Sequence, residues 1–196
     1  MKIEPVKVTS PLSRTTAQSL RAGEEVLISG VIYTARDAAH TRLVSLIEKE
    51  RPLPFPLEDQ IIYYTAPTPA KPGRPLGSCG PTTSVRMDRC TPHLLSMGLR
   101  GMIGKGQRSR AIREALRKYK AVYFLTFGGA GAYLSKRVKR AEITAFSDLG
   151  PEAVYKLWVE DFPAIVGIDT QGCDLYENLW YRNFNNLSQL LSSKPR

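Results

Sequence analysis

Cysteine is scarce in this chain, and its spacing argues against the sites that thiols usually build. Only three of the 196 residues are cysteines, Cys79, Cys90 and Cys173. An odd number of widely separated thiols is not a disulfide framework, and it lacks the clustered spacing of zinc and iron–sulfur sites. We therefore assign no metal site to this chain by itself, and we expect Cys79 to be a small buried residue.

Long apolar runs are also missing from the sequence. No stretch approaches the roughly 20 apolar residues that span a bilayer, and no segment resembles a signal peptide. Hydrophobic residues make up 42% and charged residues 23% of the chain, which is typical of a globular protein that can bury a core. We expect one cytoplasmic domain over residues 1–196, without membrane contact.

Acidic residues are nearly absent from residues 100–140. This segment holds 12 of the 28 Lys and Arg residues and a single acid, Glu114, so its net charge is +11, whereas the rest of the chain has 16 bases and 17 acids. A basic segment favours an anionic substrate, an acidic protein partner or nucleic acid. Nucleic acid is the weakest of these three, because the helix-turn-helix, zinc-finger and aromatic RNA-binding signatures are missing.

The most informative motif is residues 78–88, Ser-Cys-Gly-Pro-Thr-Thr-Ser-Val-Arg-Met-Asp. A Gly-Pro pair permits a close bend and suits a first helical turn, so the pattern predicts a helix that begins near Thr82. The start of a helix offers unpaired N–H groups to an anion. Thr82, Thr83 and Arg86 would then converge on one carboxylate-sized space. The alternative interpretation is a capped helix with a solvated arginine.

Two further junctions between a strand and a helix carry cations. The apolar run 26–33 leads to Arg36 and His40, which are four residues apart on one face of the helix that follows. Lys105 stands between two glycines, so the backbone can approach a ligand while the ammonium points at it. In open α/β folds, ligands bind at junctions of this kind.

Alternating apolar runs and helical periodicity predict an α/β fold. The glycine-rich residues 128–131 lack a dinucleotide fingerprint, and we interpret them as close helix–strand packing or as a carboxylate-binding turn. Besides the helix near Thr82, strands are predicted over 2–9, 26–33, 61–65, 102–103, 121–126, 140–146, 164–169 and 175–176, and helices over 37–49, 108–119 and 185–193.

Four motifs follow one another in a recognisable order. They are Thr-Ala-Arg-Asp-Ala-Ala-His at 34–40, Gly-Pro-Thr-Thr-Ser-Val-Arg-Met-Asp at 80–88, Ile-Gly-Lys-Gly at 103–106 and Val-Glu-Asp-Phe-Pro-Ala at 159–164. This set resembles the β subunit, or C-terminal half, of the class I iron–sulfur hydro-lyases, the fumarate hydratase and tartrate dehydratase family. The resemblance covers about residues 9–180 and implies the swivelling β/β/α domain of that subunit.

The resemblance also implies a reaction and a partner. The reaction is the reversible addition of water across the double bond of a small dicarboxylate, with a [4Fe-4S] cluster held by a partner α subunit rather than by this chain. The chain would be inactive alone and would share an active site within a heterodimer or heterotetramer. The implied substrate-binding residues are Arg36, Arg86, Lys105, Thr82 and Thr83.

Catalysis is assigned to four residues whose roles stay open. The family pattern points to one threonine of the Thr82–Thr83 pair as the base, although a hydroxyl needs a neighbour such as Lys105 or a helix start to lower its pKa. His40 is the titratable alternative, with an ordinary pKa of about 6.5. His40 could instead orient Arg36 or bind the partner subunit.

Four functions follow from these observations. Fumarate hydratase is the first, and a dehydratase for tartrate or another hydroxy-dicarboxylate is the second. A basic module that binds anions or RNA is the third, and a purely structural subunit with vestigial anion turns is the fourth.

Overall fold

A computed structural model describes residues 4–177 of the chain. Seven strands form one sheet. They are β1 (Val6–Ser10), β2 (Glu25–Thr34), β3 (Ile61–Tyr63), β4 (Gly101–Gly104), β5 (Val122–Leu125), β6 (Val138–Ala145) and β7 (Val154–Ile168). The helices are α1 (Arg14–Ser19), α2 (Asp37–Glu48), α3 (Thr91–Ser96), α4 (Arg110–Tyr119) and α5 (Gly131–Leu134), with 3₁₀ helices at Ser84–Met87, Ser135–Arg137 and Ser147–Glu152.

The sheet closes into a five-stranded barrel. Strands β2, β3, β4 and β5 run parallel in that order, and β7 joins β5 to β2 by antiparallel pairing on both sides. Strand β1 extends the sheet beside the first half of β2, and β6 extends it beside the first half of β7. The expectation of an α/β fold is therefore confirmed in its coarse form, a mixed α/β domain around a barrel.

Side chains alternate between two cores, one on each face of the sheet. On β3, Ile61 and Tyr63 belong to the core that also receives α1 and α5, whereas Ile62 packs into the core beneath α2, α3 and α4. The period of two is the geometry of a strand that is buried on both faces. It explains why β3, β4 and β5 are short runs of almost entirely buried residues.

Most predicted elements agree with the structure, and two corrections concern strands. The prediction of a strand over 164–169 was too short, because β7 begins at Val154 and continues through a left-handed residue, Asp161, at φ 48°. Its acidic and proline residues lower the strand signal, but antiparallel pairing on both sides stabilises the element. The strand predicted over 175–176 is wrong, since only Asp174 bridges to Ile168 and residues 175–177 are helical.

The third correction concerns the central motif. No α-helix begins near Thr82; the backbone of Thr83 is extended, at φ −61° and ψ 118°, and only the short 3₁₀ helix Ser84–Met87 precedes α3. The helix predicted over 185–193 lies outside the described residues. Among residues 4–177, none of the helices is both long and apolar enough to cross a membrane.

Candidate active site

Backbone pairing brings Thr82, Thr83 and Lys105 together at the end of the parallel strands. The Thr82 N–H donates to the carbonyl of Tyr64 at 2.6 Å, and the Lys105 N–H donates to the carbonyl of Thr82 at 3.3 Å. The Ser84 N–H donates to the carbonyl of Lys105 at 2.9 Å, so Thr83 and Lys105 form a parallel bridge. We call this end of the strands, with Thr82, Thr83 and Lys105, the rim; the threonines occupy an extended segment that leads into the 3₁₀ helix Ser84–Met87.

Glycines make this close approach possible. A Cβ on Gly104 would overlap the Oγ of Ser84, so only glycine lets the segment lie against β4. A Cβ on Gly131 would stand 2.8 Å from the amide nitrogen of Gly80. The glycine-rich loop therefore packs directly on the motif, which supports the packing interpretation. Its Gly128 also faces the lysine, since a Cβ there would lie 3.8 Å from Lys105 Nζ.

The other two cations meet at one carboxylate. Arg86 places Nε 3.0 Å from Asp37 Oδ1 and Nη2 2.9 Å from Asp37 Oδ2. Arg36 Nη2 lies 3.6 Å from the same Oδ2 and 3.3 Å from Glu152 Oε1. The side chain of Arg86 is 50% exposed and that of Arg36 is 22% exposed. The structure thus links the first and second predicted junctions through Asp37, the first residue of α2.

The start of α2 already binds an anion from this chain. The helix begins at Asp37 after Arg36, which makes no side-chain cap, and the N–H of Ala38 donates to Glu152 Oε2 at 3.2 Å. A carboxylate at this position is favoured by the unpaired N–H groups and by the helix dipole. A substrate carboxylate would therefore meet the guanidinium groups rather than the helix terminus.

His40 lies below Arg36 and is fully buried. Its Nδ1 is 2.9 Å from the carbonyl oxygen of Arg36, and its ring meets Tyr64 edge-on with centroids 5.2 Å apart. Burial lowers the pKa of His40 to about 4, so the imidazole is neutral at neutral pH and Nδ1 carries the proton that it donates. This hydrogen bond ties His40 to the backbone of Arg36, and both roles of His40, in catalysis and in orienting Arg36, stay predictions.

Sequence reasoning missed the residues that support the site from beneath. Arg108, whose side chain is 0% exposed, donates from Nε to Asp88 Oδ1 at 2.6 Å. Tyr123 and Glu152 were likewise not identified. Asp88 was visible as the last residue of the central motif, but Glu152 carries no local signal because it comes from a 3₁₀ helix more than 100 residues after Asp37.

The cysteines do not form a cofactor site. Cys79 is 0% exposed, as expected, and burial raises the pKa of its thiol to about 12. Within the described residues, no group of three or more His, Cys, Asp or Glu side chains could hold a metal ion. The donor set of this part of the chain therefore does not fit a [4Fe-4S] cluster, which needs several thiolates.

The basic segment is partly neutralised by ion pairs. Half of its 12 cations lie next to acids, many of which come from other parts of the chain. The pairs are Arg100–Asp59, Arg108–Asp88, Arg110–Glu114, Arg113–Glu177, Lys139–Glu160 and Arg140–Glu142. Pairing reduces the field that this segment offers to a nucleic-acid backbone.

Comparison with known proteins places these residues in a family. Residues 2–179 match the family model described as "Fumarase C-terminus". The chain is 38% identical to "Fumarate hydratase 1, mitochondrial" of Leishmania major over 78% of this chain and 28% of that protein. It is 36% identical to "Fumarate hydratase class I, anaerobic" of Escherichia coli over 90% of this chain and 33% of that protein.

A relative of similar length also matches. The chain is 34% identical to "Putative L(+)-tartrate dehydratase subunit beta" of Methanocaldococcus jannaschii, over 92% of this chain and 95% of that protein. The chain thus spans about a third of the length of the fumarate hydratases it matches and nearly all of a protein named as a β subunit.

Proposed function

The chain belongs to the fumarase C-terminus family, and on that basis we propose that it is the β subunit of a cytoplasmic, heteromeric hydro-lyase that acts as a fumarate hydratase. The proposal includes an α subunit that supplies the part of the fumarate hydratases this chain does not span, together with the [4Fe-4S] cluster. It also assigns residues 1–196 to one domain of the swivelling β/β/α type. The described thiols do not fit a cluster, so this chain contributes binding and proton-transfer residues rather than iron ligands.

Two observations carry the proposal: the backbone pairing of Thr83 with Lys105, and the meeting of Arg86 and Arg36 at Asp37. Lys105 is bridged to Thr83, and the 3₁₀ turn that follows Thr83 carries Arg86 to Asp37 and Arg36. A dicarboxylate needs several cations, and guanidinium groups bind carboxylates through paired N–H bonds whereas an ammonium acts as a point charge. The arrangement suits a small diacid better than a monoanion.

The same groups favour the transition state. In hydration, the hydroxyl of a water adds to one carbon of the double bond and a proton adds to the other; in the reverse direction, a base removes that proton next to a carboxylate and the hydroxyl leaves the neighbouring carbon, which restores the double bond and releases water. The negative charge that develops on this carboxylate is stabilised by cations already fixed in place. We assign the proton transfer to the Thr82–Thr83 pair, with the Lys105 ammonium favouring the deprotonated hydroxyl. His40 is assigned to positioning Arg36, since it is buried and neutral.

Exposed apolar side chains flank this rim and support a partner there. Val85 stands two residues after Thr83 and is 51% exposed, and Phe127 precedes Gly128 and is 50% exposed. Large apolar side chains left exposed beside a polar site are typical of surfaces that bind a protein partner. We propose that the α subunit covers this rim and completes the active site in a heterodimer or heterotetramer.

A dehydratase for tartrate or another hydroxy-dicarboxylate is the second candidate. It is favoured by the match along 95% of a protein named as a tartrate dehydratase β subunit. Both candidates require the same carboxylate-binding residues, so substrate profiling separates them.

The test is to mix this chain anaerobically with the cluster-bearing α subunit from the same genome and to follow fumarate consumption, with each subunit alone as a control. Turnover in the mixture only is expected. Arg86→Ala should lose most of the turnover and still assemble, whereas Arg89→Ala, which lines a separate groove of about 390 Å³ between α2 and α3, should keep it. A verified complex that converts tartrate and not fumarate would select the second candidate. Failure to form a complex would instead favour the binding module.

A further inference from the structure

One buried hydroxyl joins the two segments that carry the candidate catalytic residues. The hydroxyl of Tyr123 lies 2.9 Å from Ser84 Oγ and 2.9 Å from the carbonyl oxygen of Gly106. Ser84 follows Thr83 and Gly106 follows Lys105. Tyr123 is 1% exposed and Ser84 is 0% exposed, so water does not replace these contacts at the surface.

The far end of the same turn is held by a buried guanidinium. Arg108 donates to Asp88 Oδ1 at 2.6 Å and to Thr91 Oγ1 at 2.8 Å, and its Cζ lies 5.1 Å from the centroid of the Tyr123 ring. Asp88 comes directly after the 3₁₀ turn Ser84–Met87 and also accepts from the N–H of Ser109. The turn that carries Arg86 is therefore fixed at its start by a tyrosine and at its end by an arginine.

We propose that Tyr123 is a positioning residue that sets the geometry of Thr83 against Lys105, with Arg108 holding its ring. The inference rests on the proposed function for its catalytic meaning, because Tyr123 contacts neither the rim nor solvent. The hydroxyl can act on both segments at once, since it can donate to the Gly106 carbonyl and accept from Ser84.

Replacing Tyr123 by phenylalanine separates the positioning role of its hydroxyl from the packing of its ring. Tyr123→Phe keeps the ring that contacts Arg108 and removes only the bridging oxygen. The Ser84 and Lys105 N–H groups, which close the Thr83–Lys105 bridge, should then be less protected. Loss of a neutral buried hydrogen bond predicts amide exchange that is about 5- to 10-fold faster at these two positions.

Hydrogen exchange of the full chain tests this without any activity. Tyr123→Phe should accelerate exchange at the Ser84 and Lys105 amides and leave the amides of β2 unchanged, and Ser84→Ala should have the same effect. The matched control is Tyr33→Phe, because Tyr33 is also buried and stacks on Phe55 with centroids 4.4 Å apart. Unchanged exchange at both amides would overturn the inference, whether or not the complex is a fumarate hydratase.

A double-mutant cycle in the reconstituted complex tests the link to catalysis. Tyr123→Phe should lower kcat about 10-fold with little change in KM, and it should have almost no further effect once Thr83 is already alanine. If the fold-losses in kcat of the two single variants simply multiply in the double variant, Tyr123 has a general structural role and the positioning inference is contradicted. If the wild-type complex acts on no diacid, the proposed function fails, and the exchange measurement alone still decides the inference about geometry.

Discussion

The guanidinium of Arg86 meets Asp37 along one edge only. Nε and Nη2 lie 3.0 and 2.9 Å from the two carboxylate oxygens, and within residues 4–177 the opposite edge, which includes Nη1, makes no hydrogen bond. A guanidinium has five N–H donors in a plane, so a second carboxylate can bind the open edge while Asp37 keeps the first. Asp37 is the first residue of α2, and the helix thereby sets the direction in which Arg86 presents its charge.

Replacing Asp37 by asparagine should weaken substrate binding. Two effects oppose each other: removing a partly exposed negative charge favours a dianion by about 1 kcal/mol or less, whereas weakening the charge-assisted hydrogen bond from Arg86 Nε to Asp37 Oδ1 costs about 1.5–3 kcal/mol. The second effect is the larger, so KM for the dicarboxylate should rise about 5- to 10-fold with kcat nearly unchanged. Steady-state kinetics of the reconstituted complex measure this.

The control for this change is Asp148→Asn. Asp148 pairs with Arg42, a residue of α2, at an exposed position. Its replacement should leave KM and kcat as in the wild type. A fall in KM on changing Asp37 would mean that the carboxylate competes with substrate instead of orienting Arg86.

The buried histidine should make the domain sensitive to mild acid. The pKa of His40 is about 4 in the folded chain because of burial, against an ordinary 6.5 when unfolded. Between these values the unfolded chain binds a proton that the folded chain does not, so the free energy of unfolding falls as the pH falls from about 6.5 toward 4. By linkage the loss at pH 5 relative to pH 7 is about 2 kcal/mol.

Urea unfolding of the full chain at pH 7 and pH 5 checks the sign. His40→Asn should reduce the difference in the free energy of unfolding between pH 7 and pH 5 by about that amount, although the variant is less stable than the wild type at pH 7. His93→Asn replaces the other histidine, whose side chain is 42% exposed, and should keep the wild-type difference. An undiminished pH dependence in the His40 variant would contradict the assignment.

The sequence was sufficient for the elements whose signal is local. The strand 26–33 and the helix 37–49 were predicted within one residue at each end, because β-branched residues and helical periodicity mark them. The helix near Thr82 was predicted wrongly, since a Gly-Pro pair followed by hydroxyls is compatible with a helix start and with an extended segment. Pairing with Lys105 decides between them, and no local pattern reveals that contact.

The same distinction applies to the candidate site. Arg36, Arg86 and Lys105 were found from their neighbours along the chain, and the structure brings Arg36 and Arg86 to one carboxylate. The groups that hold them come from far away: Glu152 reaches α2 from the 3₁₀ helix before β7, and Tyr123 reaches Ser84 from β5. Such contacts depend on closure of the barrel, which periodicity does not specify.

Close packing of the central motif predicts that Gly104 does not tolerate a larger side chain. In Gly104→Ala the new methyl group would overlap Ser84 Oγ and approach the Tyr64 ring at 3.0 Å, so the segment that carries Thr83 has to move. Overpacking of this kind costs about 1–3 kcal/mol. The midpoint of urea unfolding should fall accordingly, and the activity of the complex should fall further than its stability.

The matched control is Gly80→Ala in the same motif. A Cβ at Gly80 would meet its nearest atom, Cα of Gly131, at 3.6 Å, which is an ordinary contact. This variant should unfold within about 1 kcal/mol of the wild type. Equal stability of the two variants would mean that Ser84 can move away from β4 without cost.

The thiols of this chain should be dispensable for the cluster. If the α subunit holds the iron, a triple variant with Cys79, Cys90 and Cys173 changed to alanine should assemble with the wild-type iron content and retain turnover. Its stability should fall by about 1–2 kcal/mol, because Cys79 is 0% exposed in the core whereas Cys173 is exposed. Iron analysis and visible absorbance of the purified complex measure the cluster, and unfolding of the isolated chain measures the packing loss. Loss of iron on changing any single cysteine would place a ligand in this chain and contradict the assignment of the cluster to the α subunit.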